Sequence, residues 1–148
     1  MMAMVDLAMQ QTIGCECGPV CLAEIAARQQ LSLSYLEQLF GKLRRAGLVG
    51  SARGPGGGYR LARSSDTISI ADIVAAVEEP VHATRCQVGS GGCMATPGLV
   101  GLGERCQTHD LWHELGRRIV SFLEGVTLAD VANGRVSRRI APERLAAE

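Results

Sequence analysis

Leu36, Leu39, Phe40 and Leu43 fall at helical spacing behind two serines, Ser32 and Ser34, and Gly47 ends the pattern. Directly after that glycine come two short runs, Leu48–Ser51 and Tyr59–Ala62, on either side of the turn RGPGGG. Few folds accept an amphipathic helix that stops on a glycine and feeds at once into a glycine-tipped hairpin. A serine caps the start, the apolar stripe supplies the inner face, and the glycine terminates the helix near Ala46. Upstream, Leu22, Ile25 and Ala26 mark another helix within Val20–Gln29, parted from the first by the short turn Gln30–Leu33. Residues 2–10 (MAMVDLAMQ) are helix-prone, apolar on more than one side and begin abruptly, like the end of a helix. The stretch GCECGP then breaks them off.

The pair of helices around a short turn has the form of a helix–turn–helix, and the hairpin that of a wing. Ser34, Tyr35, Glu37 and Gln38 lie near the amino end of the later helix, largely away from its core face, with Lys42, Arg44 and Arg45 towards the other end. Helix–turn–helix proteins set such amino-terminal residues against base edges in the major groove while cations grip phosphates. The glycine turn lacks the G-x-x-x-x-G-K-[ST] pattern, and a strand follows it, so it is not a nucleotide loop. Arg53, at its base, has the reach to enter a narrow minor groove, and the competing reading is a solvated hairpin arginine. Formal net charge is zero, yet from Arg28 to Arg63 the cations Arg28, Lys42, Arg44, Arg45, Arg53, Arg60 and Arg63 face a single acid, Glu37. Such a block is often only a solvated surface, and its position on this motif gives it meaning.

Thr67–Glu79 opens like a strand and continues as a helix with Ile73, Val74 and Val77 inward, ended by Pro80. Periodicity then lapses through a glycine-rich stretch from Val81 to Arg105, too long for a plain connector. Cys86, Cys93, Cys106 and His109 are spread along it in the pattern C-x6-C-x12-C-x2-H. The segment RCQVGSGGC offers little to bury, so these thiols are not core filler. Cys106 and His109 stand one helical turn apart. Three thiolates and an imidazole suit tetrahedral zinc or a 2Fe-2S cluster, and spacing leaves the two nearly equal. Thiol catalysis activated by His82, His109 or His113 has no recognisable oxyanion donor beside it, so the chain does not read as an enzyme. Cys15, Cys17 and Cys21 form a second group, with Cys21 expected in the core of its helix and the other two as surface thiols or an oxidation-sensitive pair.

A last long helix runs from Thr108, its N-cap, to Glu124, with Asp110 in the first turn and Gly125 beyond the end. Trp112, Leu115, Ile119, Phe122 and Val126 recur at alternating spacings of three and four, a coiled-coil-like seam for self-association rather than a face laid on its own domain. Thr127–Asn133 reads as a short helix and Arg135–Glu148 as a polar, mobile tail. At 148 residues and 47% hydrophobic the chain buries a real core. It has no signal peptide and no run near the roughly 18 apolar residues of a membrane span, and is expected in the cytoplasm, where cysteine groups bind metals more often than they form disulfides. With 3% aromatics, base stacking on single strands has little to work with.

The segments SLSYLEQLFGKLRRAGLVGSARGPGGGYRLA, IADIVAAVEE, ATRCQ and CQTHDLWHEL together resemble the IscR-type iron–sulfur cluster regulators, winged-helix transcription factors whose relatives include the nitric-oxide sensor NsrR. The resemblance covers nearly the whole chain. It implies a mainly α homodimer, each subunit built of a winged helix-turn-helix with a small β-hairpin wing, a cluster loop and a long C-terminal dimerisation helix. Residues 1–80 would form the DNA-binding domain, 81–107 the cluster loop, 108–134 the dimerisation helix with a short C-terminal helix, and 135–148 a flexible tail. It also implies that Cys86, Cys93, Cys106 and His109 hold a 2Fe-2S cluster, the histidine favouring the IscR type. By the same resemblance Ser34, Tyr35, Glu37 and Gln38 lie in the major groove of double-stranded DNA and Arg53 in the minor groove. Glu37 can accept from cytosine N4 while repelling phosphate, which sharpens selectivity, unless it merely pairs with a nearby arginine.

Two departures stand out. Family members carry several more amino-terminal residues, basic and aromatic, and the gap between Cys93 and Cys106 holds the inserted MATPGLVGLGER. The expected function is a DNA-binding regulator that senses iron–sulfur or redox status and controls cluster-assembly genes, with cluster-assembly proteins as donors. The alternatives are a nitric-oxide or redox sensor of the same superfamily, or a zinc-stabilised interaction module without DNA binding.

Overall fold

In the computed structural model the described residues are 1–13, 18–54, 56–77 and 108–136. They form helices α1 (Met2–Ile13), α2 (Leu22–Gln29) and α3 (Leu33–Arg45), strands β1 (Val49–Ala52) and β2 (Gly58–Leu61), and a 3₁₀ turn over Ser65–Thr67. Helices α4 (Ile70–Ala76), α5 (His109–Gly125) and α6 (Leu128–Ala132) follow. The chain divides into two units, Met1–Glu79 with Leu123–Glu148, and Pro80–Phe122.

The first unit is a winged helix on one hydrophobic core. Met4, Leu7, Ile25, Leu36, Phe40, Leu48, Ile68 and Leu128 have almost no exposed surface. Truncating one such leucine to alanine costs about 2–5 kcal/mol. Helix α1 packs against α2, α6 and β2, which is why its apolar residues do not keep to one stripe. Gln11 on α1 also accepts the N–H of Leu61 on β2 at 3.2 Å.

Two capping boxes set the starts of α4 and α6. Ser69 and Thr127 each accept from the N–H three residues on, and Asp72 and Asp130 return the bond to the cap N–H. Between them runs a short antiparallel bridge, with Ile70 N–H on Val126 O at 2.9 Å and Leu128 N–H on Ile68 O at 2.8 Å. The strand-like start read at Thr67 is this bridge.

Val126, read as the last position of the dimer seam, is corrected by it. The residue lies beyond the end of α5 and is buried in the first unit's core at 3% exposure. Arg135 and Val136, read as the start of the tail, join the same body. The Arg135 N–H meets Asp130 O at 2.8 Å, its Nε lies 3.7 Å from the Asp130 carboxylate, and Val136 packs on the core. In the second unit the described residues are Thr108–Phe122, nearly all of α5.

Candidate nucleic-acid interface

The turn between α2 and α3 is Gln30–Ser32. Gln30 takes the left-handed conformation at φ 53°, letting its own N–H reach Ala27 O and that of Leu31 reach Ala26 O. Helix α3 ends by the same device. Gly47, at φ +70°, bonds Arg44 O while Leu48 N–H reaches back to Leu43 O at 3.0 Å, which seats two buried leucines together. At the start of α3, Ser32 is the N-cap residue, and its hydroxyl contacts that of Ser34 at 2.9 Å rather than the helix backbone.

Leu36, Phe40 and Leu43 form the buried side of α3, with Leu39 half-buried. At about 3.6 residues per turn, Ser34, Gln38 and Arg45 run down the opposite, exposed side. Glu37 and Arg44 fall on one flank, Tyr35 and Lys42 on the other. Arg44 Nη1 reaches Ser51 Oγ on β1 at 3.4 Å, so that first flank faces the wing. Leu33, Glu37, Arg44, Ser51 and Arg53 line a groove of about 390 Å³ between helix and wing. Lys42 is half-buried, and its Nζ donates to Val77 O at 3.2 Å.

The wing is held to the helices from two sides. Tyr59 meets Phe40 edge-on, ring centres 5.0 Å apart. On the other edge of β2, Val20 and Tyr59 exchange backbone bonds of 2.8 Å each way. Glycine is required at Gly58 because a Cβ there would collide with the Val20 carbonyl. Neither Val20 nor Tyr59 stood out in the sequence as part of the interface, although a β-branched residue after Pro19 and an aromatic after three glycines were the available signals.

Of the seven cations in the basic block, Arg28 is bound to Asp6 and Arg63 lies 3.5 Å from Asp72. Arg44, Arg45, Arg53 and Arg60 remain as exposed cations on α3 and the wing.

Cys21 is not helix core. It is the N-cap residue of α2 in extended conformation and is exposed, because the pairing of Val20 with Tyr59 takes the inward position. Cys15, Cys17, Cys86, Cys93 and Cys106 lie outside the described residues. His109 is the first residue of α5. Among the described residues no three His, Cys, Asp or Glu side chains gather as a metal site, and no helix is long and apolar enough to cross a membrane. Helix α5 exposes Leu111, Trp112, Leu115, Val120 and Phe122. Along this helix Glu114 binds Arg118 and Arg117, whose hydrogen bonds hold its carboxyl below the ordinary range.

Comparison with known proteins matches this architecture. The HTH-type transcriptional regulator IscR of Klebsiella pneumoniae (strain 342) is 47% identical over 133 residues, 90% of this chain and 74% of that protein. Among solved structures, T. potens IscR superposes with a TM-score of 0.64 at 35% identity, covering 99% of this chain and 85% of that one. CymR, the global cysteine regulator of B. subtilis, gives 0.66 at 34% identity, covering 88% of each chain. The model of the Rrf2 family, described as iron-dependent transcriptional regulators, matches residues 1–134. With helix–turn–helix, wing and sequence in agreement, the chain belongs to the Rrf2 family of transcriptional regulators.

Proposed function

We propose that this DNA-binding regulator of the IscR type acts as a homodimer whose binding to double-stranded DNA is set by a 2Fe-2S cluster on Cys86, Cys93, Cys106 and His109. The observation that carries the DNA reading is the outward side of α3, polar along Ser34, Gln38 and Arg45 and bordered by Glu37, Arg44 and Arg53 in one groove with the wing. Such an arrangement offers short polar side chains to base edges and guanidinium groups to phosphates. Ser34, Tyr35, Glu37 and Gln38 read the major groove, Arg44 and Arg45 grip the backbone, and Arg53 enters the minor groove. Like its relatives, the chain is a regulator and not an enzyme.

Three thiolates and one neutral imidazole are the four protein ligands that a 2Fe-2S cluster needs, so the donor set fits the group. When bound, the cluster supplies an iron–sulfur centre that responds to iron, sulfide and oxidant supply. His109 opens α5 and Cys106 precedes it by three residues in sequence, so these two would supply neighbouring ligands, with Cys86 and Cys93 the other two. The regulated genes are those of cluster assembly, the donors are cluster-assembly proteins, and a chromosomal target places the chain in the cytoplasm.

Anaerobic purification tests the cofactor. The expected protein is brown with iron and sulfide at about two per chain, and a colourless protein with one zinc sinks the reading. The spectra of His109→Ala and Cys93→Ala test the ligands. A gel-shift titration over salt tests DNA binding, and absence of a salt-sensitive complex overturns it.

A further inference from the structure

Leu33 is the first residue of α3 and lies outside the hydrophobic core. It is 41% exposed, and it lines the groove between helix and wing together with Cys21, Ala23, Glu37, Arg44 and Arg53. Leu36, Phe40 and Leu43 already fill the buried side of α3, so packing gives no reason for a leucine at this position. Four residues before Glu37, it stands one turn nearer the amino end on the same flank of the helix. An apolar side chain open to water beside the exposed guanidinium groups of Arg44 and Arg53 is placed where a polyanion drawn to those charges would cover it.

We propose that Leu33 is a specificity-determining residue that reads the C5-methyl group of a thymine. The inference rests on the reading of α3 as the helix that enters the major groove. Among the base edges there, the thymine methyl is the one apolar substituent, and the rest is donors and acceptors. Against that methyl, Leu33 buries apolar surface on both sides of the contact. Against a base without it, the leucine covers donors and acceptors and returns no hydrogen bond. One side chain thus favours the right base and penalises the wrong ones. The small side chains of Cys21 and Ala23 keep the groove open beside it. Glu37 stands about 6 Å further along the helix. Successive base pairs are about 3.4 Å apart, so the thymine falls within about two base pairs of the base that Glu37 reads.

The test uses the full chain and a duplex selected from a random pool by the wild type. The selected sequences are expected to hold thymine at one position of each half-site. That thymine is then replaced by deoxyuridine, which keeps the base pairing and removes only the methyl group. Wild-type affinity should fall about fourfold for each thymine replaced, the worth of one buried methyl. Leu33→Ala should bind the thymine and uracil duplexes equally. Leu33→Gln, which keeps the length without the apolar end, should lose the discrimination too, so the outcome does not depend on one variant folding. Leu33→Met, which conserves volume and apolarity, should retain it. A selected pool without such a thymine, a wild type indifferent to uracil at every thymine, or a Leu33→Ala variant that still discriminates overturns the role of Leu33. Selection repeated with Glu37→Ala separates this failure from failure of the underlying reading. If base preference shifts with Glu37 and not with Leu33, only the role of Leu33 falls. If it shifts with neither, the placement of α3 in the major groove falls as well.

Discussion

Arg28 grips Asp6 across the contact between α1 and α2, with Nη2 on Oδ1 at 2.8 Å and Nε within 3.1 and 3.2 Å of the two carboxylate oxygens. Gln29 adds a bond from Nε2 to Oδ2 at 2.9 Å. Asp6 is 7% exposed, and its bonds satisfy a carboxylate that would otherwise be costly to bury. The hydrogen bond from Arg28 outweighs desolvation and holds the Asp6 carboxyl below its ordinary range. Arg28 thus leaves the basic face and clips α1 to the first helix of the helix–turn–helix.

Replacing Asp6 by asparagine is expected to lower stability at neutral pH by about 1–3 kcal/mol. Because the folded carboxyl titrates below the unfolded one, its contribution is complete above the unfolded value of about 3.9. It fades as pH falls through the lower folded value. Urea unfolding of wild type and Asp6→Asn should therefore show a gap that is constant near neutrality and narrows in acid. A gap that widens in acid would contradict the assignment.

Gln30 occupies a left-handed position that glycine fills without Cβ strain. Gln30→Gly removes a penalty of about 1–2 kcal/mol and gives back part of it through the freer unfolded chain. A net gain of up to about 1 kcal/mol in urea unfolding is expected, with DNA affinity unchanged since the helices keep their angle. Lost stability would show that the Gln30 side chain makes up for its backbone.

The periodic parts of the fold were legible in the sequence. Leu36, Phe40 and Leu43 on α3, Ile73 on α4, and the hairpin around the glycine turn all announce themselves by spacing and punctuation. What escaped were contacts between residues remote in sequence. Val126 continues the spacing of Trp112, Leu115, Ile119 and Phe122, yet its backbone pairs with Ile70, a partner no local pattern names. Cys21 has helical neighbours, but Val20 binds Tyr59 first and turns the thiol out. Arg28 and Lys42 read as cations for DNA because their acceptors, Asp6 and Val77, lie 22 and 35 residues away. The cysteine pattern is visible in the sequence as a set of donors, since donor type shows there while the geometry across the two long intervals between Cys86, Cys93 and Cys106 does not.

Gly58 supplies a test of the wing clamp. A methyl group there meets the carbonyl of Val20, so Gly58→Ala must break the paired Val20–Tyr59 bonds or shift the strand. The expected cost is about 2–3 kcal/mol, accompanied by weaker DNA binding because Arg53 rides on the displaced wing. Gly50→Ala is the control, since the added carbon would stand 3.8 Å from Arg60, an ordinary contact. Equal loss of affinity in both variants would argue against a specific role for the Val20 pairing.

The exposed seam of α5 gives the last prediction. Leu111, Trp112, Leu115 and Phe122 fall on one side of a 17-residue helix, and their exposures of 65, 42, 40 and 43% leave a large apolar surface open to water in a single chain. Water-exposed patches of this kind mark interaction surfaces, and a second copy of the same helix offers a self-complementary one. Glu114, Arg117 and Arg118 pair with one another along the edge of this side, so their charges border the apolar surface rather than fill its centre. Leu115→Glu places a like-charged pair at the centre of a two-fold seam, and sedimentation velocity should show the variant as monomer at concentrations where the wild type is dimeric. Leu115→Met, which conserves volume and apolarity, should stay dimeric. The monomer should also lose DNA affinity by far more than half, since two linked half-site contacts become independent ones. A Leu115→Glu variant that still sediments as a dimer would move the interface off this face.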